Sequence, residues 1–158
     1  MTRSNPSELR EAEAPGACAT FPVEPTLEGI SVLSEQVQEM AEAMNVPGVH
    51  LQRVSLAIDE LLSNIILYGM SGDSPPAIVV SVRIQPCDLQ VEVEHTGPAF
   101  DPFRDVAIPD TSLEVENRPV GGLGIFLVRS LMTSVHYERV GDRNRVTLTR
   151  DLETGQRG

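Results

Sequence analysis

The hydrophobic period of this chain changes from helical to alternating between Tyr68 and Ile78, and a long amphipathic helix feeding directly into paired strands limits the folds open to it. From about Val49 to Tyr68 the apolar residues Leu51, Val54, Ile58, Leu61, Leu62 and Ile65 recur at helical spacing, and Gly69 and Gly72 mark the expected stop. After a turn at Ser71 to Pro76, Ile78, Val80, Val82 and Ile84 alternate with Val79, Ser81 and Arg83. Beyond Pro86-Cys87-Asp88, Leu89, Val91 and Val93 alternate with Gln90, Glu92 and Glu94, so two antiparallel strands are expected. Upstream, Leu27, Ile30, Leu33, Val37, Met40 and Met44 predict a first helix from about Thr26 that ends before Pro47, with the two methionines as core filler. Thr20 to Val23 reads as an edge strand because Pro22 and Pro25 cannot donate to a ladder. A last helix from about Gly124 to Thr133 leads to Val135–Val140, a turn at Gly141 to Asn144, and Arg145–Arg150, a hairpin. This order predicts an α+β fold: a two-layer sandwich with a mixed, mostly antiparallel sheet and helices on one face.

At 158 residues with 41% hydrophobic positions the chain fits one domain with a core that needs no disulfide or structural metal. The expected organisation is a flexible leader over 1–18, the domain over 19–152 and a flexible tail over 153–158. A net charge of −11 with only 4% aromatic residues leaves no basic footprint or stacking platform for nucleic acid, and favours solubility or a basic protein partner. Cys18 and Cys87 have no companion at metal-ligand spacing and read as reduced thiols. No apolar run is long enough to span a bilayer and the N-terminus lacks a signal pattern, so a cytoplasmic location is expected.

The chemistry gathers in three places. Gly121-Gly122-Leu123-Gly124 runs straight into an apolar helix, an arrangement that lets backbone amides approach an anion at a helix start. On the long helix, Glu60 and Asn64 lie one turn apart and share a face. A carboxylate, a metal-capable amide and a phosphate cradle together suggest nucleotide chemistry. Residues 97–120 form a long irregular connection, expected as a lid, in which Asp101 caps a start and Arg104 and Arg118 are weak candidates for a terminal phosphate. His50 and His136 read as ordinary surface or edge positions.

Three boxes in order resemble the histidine-kinase-like ATP-binding fold shared by sensor kinases, DNA gyrase and the ninety-kilodalton heat-shock chaperone. They are Ala57-Ile58-Asp59-Glu60-Leu61-Leu62-Ser63-Asn64-Ile65-Ile66, Thr96-Gly97-Pro98-Ala99-Phe100-Asp101-Pro102 and Gly121-Gly122-Leu123-Gly124-Ile125-Phe126-Leu127-Val128. The chain is most similar to the bacterial anti-sigma-factor serine/threonine kinases, from about Thr20 to Leu152. That resemblance implies ATP and Mg2+ as cofactors, Glu60 as general base, Asn64 as the magnesium ligand, and His95, Gly97, Gly121, Gly122, Leu123 and Gly124 around the nucleotide. It also implies protein partners, a sigma factor or an anti-anti-sigma antagonist whose serine is phosphorylated, a role in transcription regulation, and a homodimer through the sheet face or first helix.

The chain departs from the family at the second box. The family has Asp-x-Gly, whose carboxylate accepts from the adenine amino group; this chain has His95-Thr96-Gly97. Strand parity puts His95 in the inward set with Leu89, Val91 and Val93. A neutral imidazole accepts one hydrogen bond and a protonated one none, so affinity is expected to be weaker, altered or pH-dependent; losing a buried acceptor costs about 1–3 kcal/mol. Tyr68 stands where the family often has histidine, and Ser31 where a partner-contacting arginine aligns loosely. Two readings stay open: a protein serine kinase of anti-sigma type, and a non-catalytic binding module that keeps the fold with weakened nucleotide use.

Overall fold

A computed structural model describes residues 16–69, 74–105 and 122–153. The elements in chain order are β1 (Ala17–Val23), α1 (Leu27–Ala43), α2 (Gly48–Tyr68), β2 (Ile78–Ile84), β3 (Asp88–Thr96), α3 (Pro102–Asp105), α4 (Gly122–Leu131), β4 (Ser134–Val140) and β5 (Arg143–Asp151). The strands form one sheet in the order β1-β2-β3-β5-β4, and every pairing is antiparallel. β1 occupies an edge as its prolines require, and it begins at Ala17, earlier than Thr20. Residues 1–15 of the expected leader over 1–18, 154–158 of the expected tail over 153–158 and 106–121 of the lid lie outside the described residues, whereas Ala17 and Cys18, expected in the flexible leader, pair with Ile84 and Arg83 as part of β1.

The inward set is the one the alternation predicts. Val80, Val82, Ile84, Leu89, Val91, Val93, Val146 and Leu148 are buried against Leu33 and Val37 of α1, Val54, Ala57, Ile58, Leu61, Leu62 and Ile65 of α2, and Val128 of α4. The opposite face is polar, with Arg145 of β5 paired to Glu94 of β3 at 2.7 Å and Glu138 of β4 at 3.0 Å. A sheet with one face covered by helices shows this clean alternation.

Helix boundaries have local causes. Thr26 Oγ1 accepts from the Gly29 amide at 3.0 Å and starts α1. α1 stops in a Schellman turn: Asn45 has φ 57°, its amide donates to Glu42 O, and the Val46 amide donates to Ala41 O at 3.0 Å. The chain then reaches Pro47 and starts α2 directly. α2 ends at Gly69, whose φ of −86° any residue adopts; glycine is needed there because a Cβ would meet Ile65 O at 2.6 Å. The hairpin turn is shorter than the sequence suggests. Gly141 (φ 60°) and Asp142 make the whole connection, and Asn144 belongs to β5.

Candidate functional site

α2 carries the first part of the site. Asn64 is 3% exposed, and its Nδ2 donates to Glu60 O at 2.7 Å, the backward bond that Asn makes inside a helix. That bond turns Oδ1 the other way, where it is buried with no hydrogen-bond partner among the described residues. An orphaned buried acceptor costs about 1–3 kcal/mol unless something occupies it. A hard cation suits it: magnesium keeps most of its waters and takes one or two protein oxygens plus phosphates. Among the described residues no group of three or more His, Cys, Asp or Glu is placed to hold a metal ion.

α4 packs beside this part of α2. It begins at Gly122, two residues before the expected start, and its first turn lies against α2. A Cβ on Gly124 would stand 1.9 Å from Glu60 Oε2, so the glycine is what lets the positive end of α4 approach the carboxylate. Gly124 is thus brought against Glu60, which lies one helical turn before Asn64 on α2. Gly121 lies outside the described residues, and so do the side chain of Leu123 and Arg118; Arg104 is described and exposed on α3.

The other end of α2 meets the second box. Gly69 lies against β3, where a Cβ would come 3.4 Å from His95 Cε1, and the Gly69 carbonyl stands 3.0 Å from the Cβ position of Gly97, whose φ is +126°. His95 is fully buried. Its Nδ1 is 3.3 Å from Thr96 O, and its Nε2 is buried with no partner among the described residues. Burial above all, together with the nearby Arg139 charge, lowers its pKa below the ordinary histidine value, against a smaller opposing effect of the Thr96 carbonyl. His95 is therefore a neutral imidazole near pH 7. From Glu60 to Gly69 the α-helical rise spans about 14 Å.

Asn144 escaped the sequence reading and holds the second box in place. Fully buried opposite His95 in the β3–β5 register, it accepts on Oδ1 from the Phe100 amide (2.9 Å) and the Tyr137 hydroxyl (2.6 Å) and donates from Nδ2 to Pro98 O (2.9 Å). Arg139 of β4 adds a 2.7 Å bond to Gly97 O. The signal was parity: Asn144 shares the inward set with Val146 and Leu148. Asp101, expected to cap the start of an irregular lid, instead caps the short helix α3, its Oδ1 accepting from the Phe103 amide at 3.0 Å, and the Arg129 guanidinium of α4 lies 5.0 Å from the Phe103 ring centroid.

His50 requires a correction. It is 8% exposed, and its Nδ1 accepts from Arg150 Nε at 3.1 Å while Arg150 Nη1 reaches Leu131 O at 3.0 Å. No local pattern signals this contact, because Arg150 lies a hundred residues away. His136 is exposed on edge strand β4 as expected, and neither cysteine forms a disulfide. No helix among the described residues is long and apolar enough to cross a membrane.

Residues 23–150 match the family described as the histidine kinase-like ATPase domain. The chain is 28% identical over 96 residues to the serine/threonine-protein kinase BtrW of Bordetella bronchiseptica, covering 61% of this chain and 67% of that one. It is 27% identical over 88 residues to the serine-protein kinase RsbW of Listeria monocytogenes, covering 54% and 56%. The chain thus spans little more than half the length of that RsbW. Among solved structures, the RsbU and RsbW domains of Rv1364c from Mycobacterium tuberculosis share the fold, with a TM-score of 0.63 and 16% identity over 88% of this chain and 33% of that one.

Proposed function

The chain belongs to the histidine kinase-like ATPase domain family, and on that premise we propose that it is an ATP-dependent protein serine/threonine kinase of anti-sigma type. The observation that carries this reading is the contact of Gly124 with the Glu60 carboxylate, which supports a site where the N-terminus of α4 and that carboxylate act together. Phosphoryl transfer asks mainly for positioning and charge neutralisation, and those groups supply both. The α4 amides would hold the phosphates and Asn64 Oδ1 would ligate magnesium, which neutralises phosphate charge when bound. Glu60 would take the proton of a serine hydroxyl as its oxygen bonds to the terminal phosphorus of ATP and the bond to the ADP oxygen breaks, leaving phosphoserine and ADP.

The kinases named BtrW and RsbW support this reading by their similarity. The acidic surface suits basic protein partners. The regulatory role that follows is partner switching: a sigma factor or similar regulator is held, and released when the phosphorylation state of a small antagonist changes. A homodimer in the cytoplasm is part of the same reading. A second reading, a binding module with weakened nucleotide use, is favoured by one observation, His95 where the family places an adenine-binding aspartate.

The test is calorimetric titration with ADP and a non-hydrolysable ATP analogue, with and without magnesium, followed by transfer of labelled phosphate to candidate antagonist proteins. Magnesium-dependent binding and label on serine, abolished in Glu60→Gln, support the kinase. Absence of heat under every condition moves the reading to the binding module.

A further inference from the structure

α4 is fastened to the rest of the domain at both ends. Its first turn meets Glu60, where Gly124 leaves room for the carboxylate. Its last residue, Leu131, offers a carbonyl that accepts from Arg150 Nη1 at 3.0 Å, and Arg150 Nε donates in turn to His50 Nδ1 at 3.1 Å. His50 stands in the first turn of α2, about 15 Å before Glu60 along the axis, while Gly124 and Leu131 are about 10 Å apart on α4. The two helices therefore run antiparallel, meeting at Glu60 and Gly124 and bridged at the far end by one arginine of β5.

The phosphoryl chemistry does not use His50. An imidazole nitrogen that accepts carries no proton, so the neutral ring holds its proton on Nε2 and a second can enter only at Nδ1. Nδ1 is the atom Arg150 occupies, so protonation of the ring and the Arg150 bond exclude one another. Among the described residues the charged groups acting on the ring are both cationic, Arg150 of β5 and Arg53 of its own helix. From the other packed elements, Leu89 of β3, opposite Arg150, is apolar, Thr149 and Asp151 alternate to the other face of β5, and α4 presents the Leu131 carbonyl. Burial and both arginines lower the pKa of the ring, which is neutral near pH 7.

We propose that His50 and Arg150 are positioning residues, an acid-released clasp that fixes α4 along α2 and so sets Gly124 against Glu60 from the far end of both helices. In the closed state the neutral imidazole holds the guanidinium in line with the Leu131 carbonyl. When Nδ1 takes a proton, two donors face each other, Arg150 turns away, and the last carbonyl of α4 loses its charge-assisted bond. The loosened helix end is carried to the glycine end because α4 is short and continuous. The consequence for phosphate, weaker holding in acid, rests on the nucleotide-binding reading above. By linkage, a nucleotide held by α4 favours the closed clasp and lowers the pKa of His50 further.

The test follows the amide signals of Gly124 and Met132 and the ring nitrogens of His50 by magnetic resonance, without nucleotide, from about pH 8 to about pH 5, spanning the reference histidine pKa. In the wild type both amides are expected to move with the His50 midpoint. In His50→Gln, whose amide oxygen accepts from Arg150 at every pH, they are expected to stay still over that range. Arg150→Met, which keeps the stem and lacks the guanidinium, is expected to hold Gly124 at its acid position throughout. Calorimetry with ADP and magnesium over the same range is expected to show affinity falling at least about threefold further in the wild type than in His50→Gln. A wild-type Gly124 signal that ignores the His50 midpoint, which needs no variant to observe, or the same movement in a folded His50→Gln, overturns the clasp. Amides that move as expected beside an ADP affinity equally pH-dependent in both proteins overturn the link to nucleotide. Moving amides with no ADP binding at any pH overturn the nucleotide-binding reading and leave the clasp standing.

Discussion

Gly124 and Glu60 touch in a way that no other residue at position 124 permits: a Cβ there would lie 1.9 Å from Oε2 and 2.8 Å from the carboxylate carbon. The atoms in the way are the far end of a flexible side chain, so Gly124→Ala folds by swinging the carboxylate aside. Its helix gains up to about 1 kcal/mol of propensity from alanine, which the displaced carboxylate partly offsets. Phosphotransfer is expected to fall by about a hundredfold, the cost of misplacing a reacting group by roughly an ångström. In a Glu60→Ala background the same change should stabilise by up to about 1 kcal/mol. Urea denaturation of the four members of this cycle checks the contact, and additive stabilities would show that the two residues do not meet.

Asn64→Ala removes the orphaned Oδ1 and the bond from Nδ2 to Glu60 O. Nucleotide binding should lose its dependence on magnesium while the fold loses only about 1 kcal/mol. Titration with ADP in magnesium and in a chelator measures this, and a variant that still binds more tightly with magnesium would remove Asn64 from the metal site.

Truncating Asn144 to alanine strands the Phe100 amide, the Pro98 carbonyl and the Tyr137 hydroxyl at once. A loss of about 2–4 kcal/mol is expected, because each buried group left unpaired costs about 1–3 kcal/mol and part of the loop relaxes toward water. Hydrogen exchange at Phe100 should rise well beyond that at Val91, whose ladder is untouched. Protection unchanged at Phe100 would count against the clamp.

Two buried histidines make stability depend on pH in one direction. Burial is the largest cause lowering the pKa of both, with Arg150 and Arg53 adding for His50 and Arg139 for His95. The unfolded chain then binds protons that the folded chain refuses. Stability is full above the unfolded value of about 6.5 and declines as pH falls below it toward the folded pKa values. Denaturation midpoints from about pH 8 down to about pH 5 should fall, with a smaller slope in His95→Gln and in His50→Gln. A flat profile in the wild type would mean that neither ring is desolvated in the native state.

The periodicities of 3.6 and 2, the prolines at Pro22 and Pro47 and the parity of His95 were all readable in the amino-acid sequence, because helix faces, strand faces and breakers are local properties. They determined the elements, the helix-covered face of the sheet and the inward place of His95. The three boxes carried the family resemblance, and the family match bears it out. What the tertiary structure decided is distance. It set Gly124 against Glu60, closed Asn144 on the 97–100 segment, delivered Arg150 to His50 and left Asn64 Oδ1 and His95 Nε2 without partners among the described residues. Contacts between residues far apart in sequence depend on which helix crosses which strand and where. That is settled by packing the whole core at once, and no local pattern encodes it.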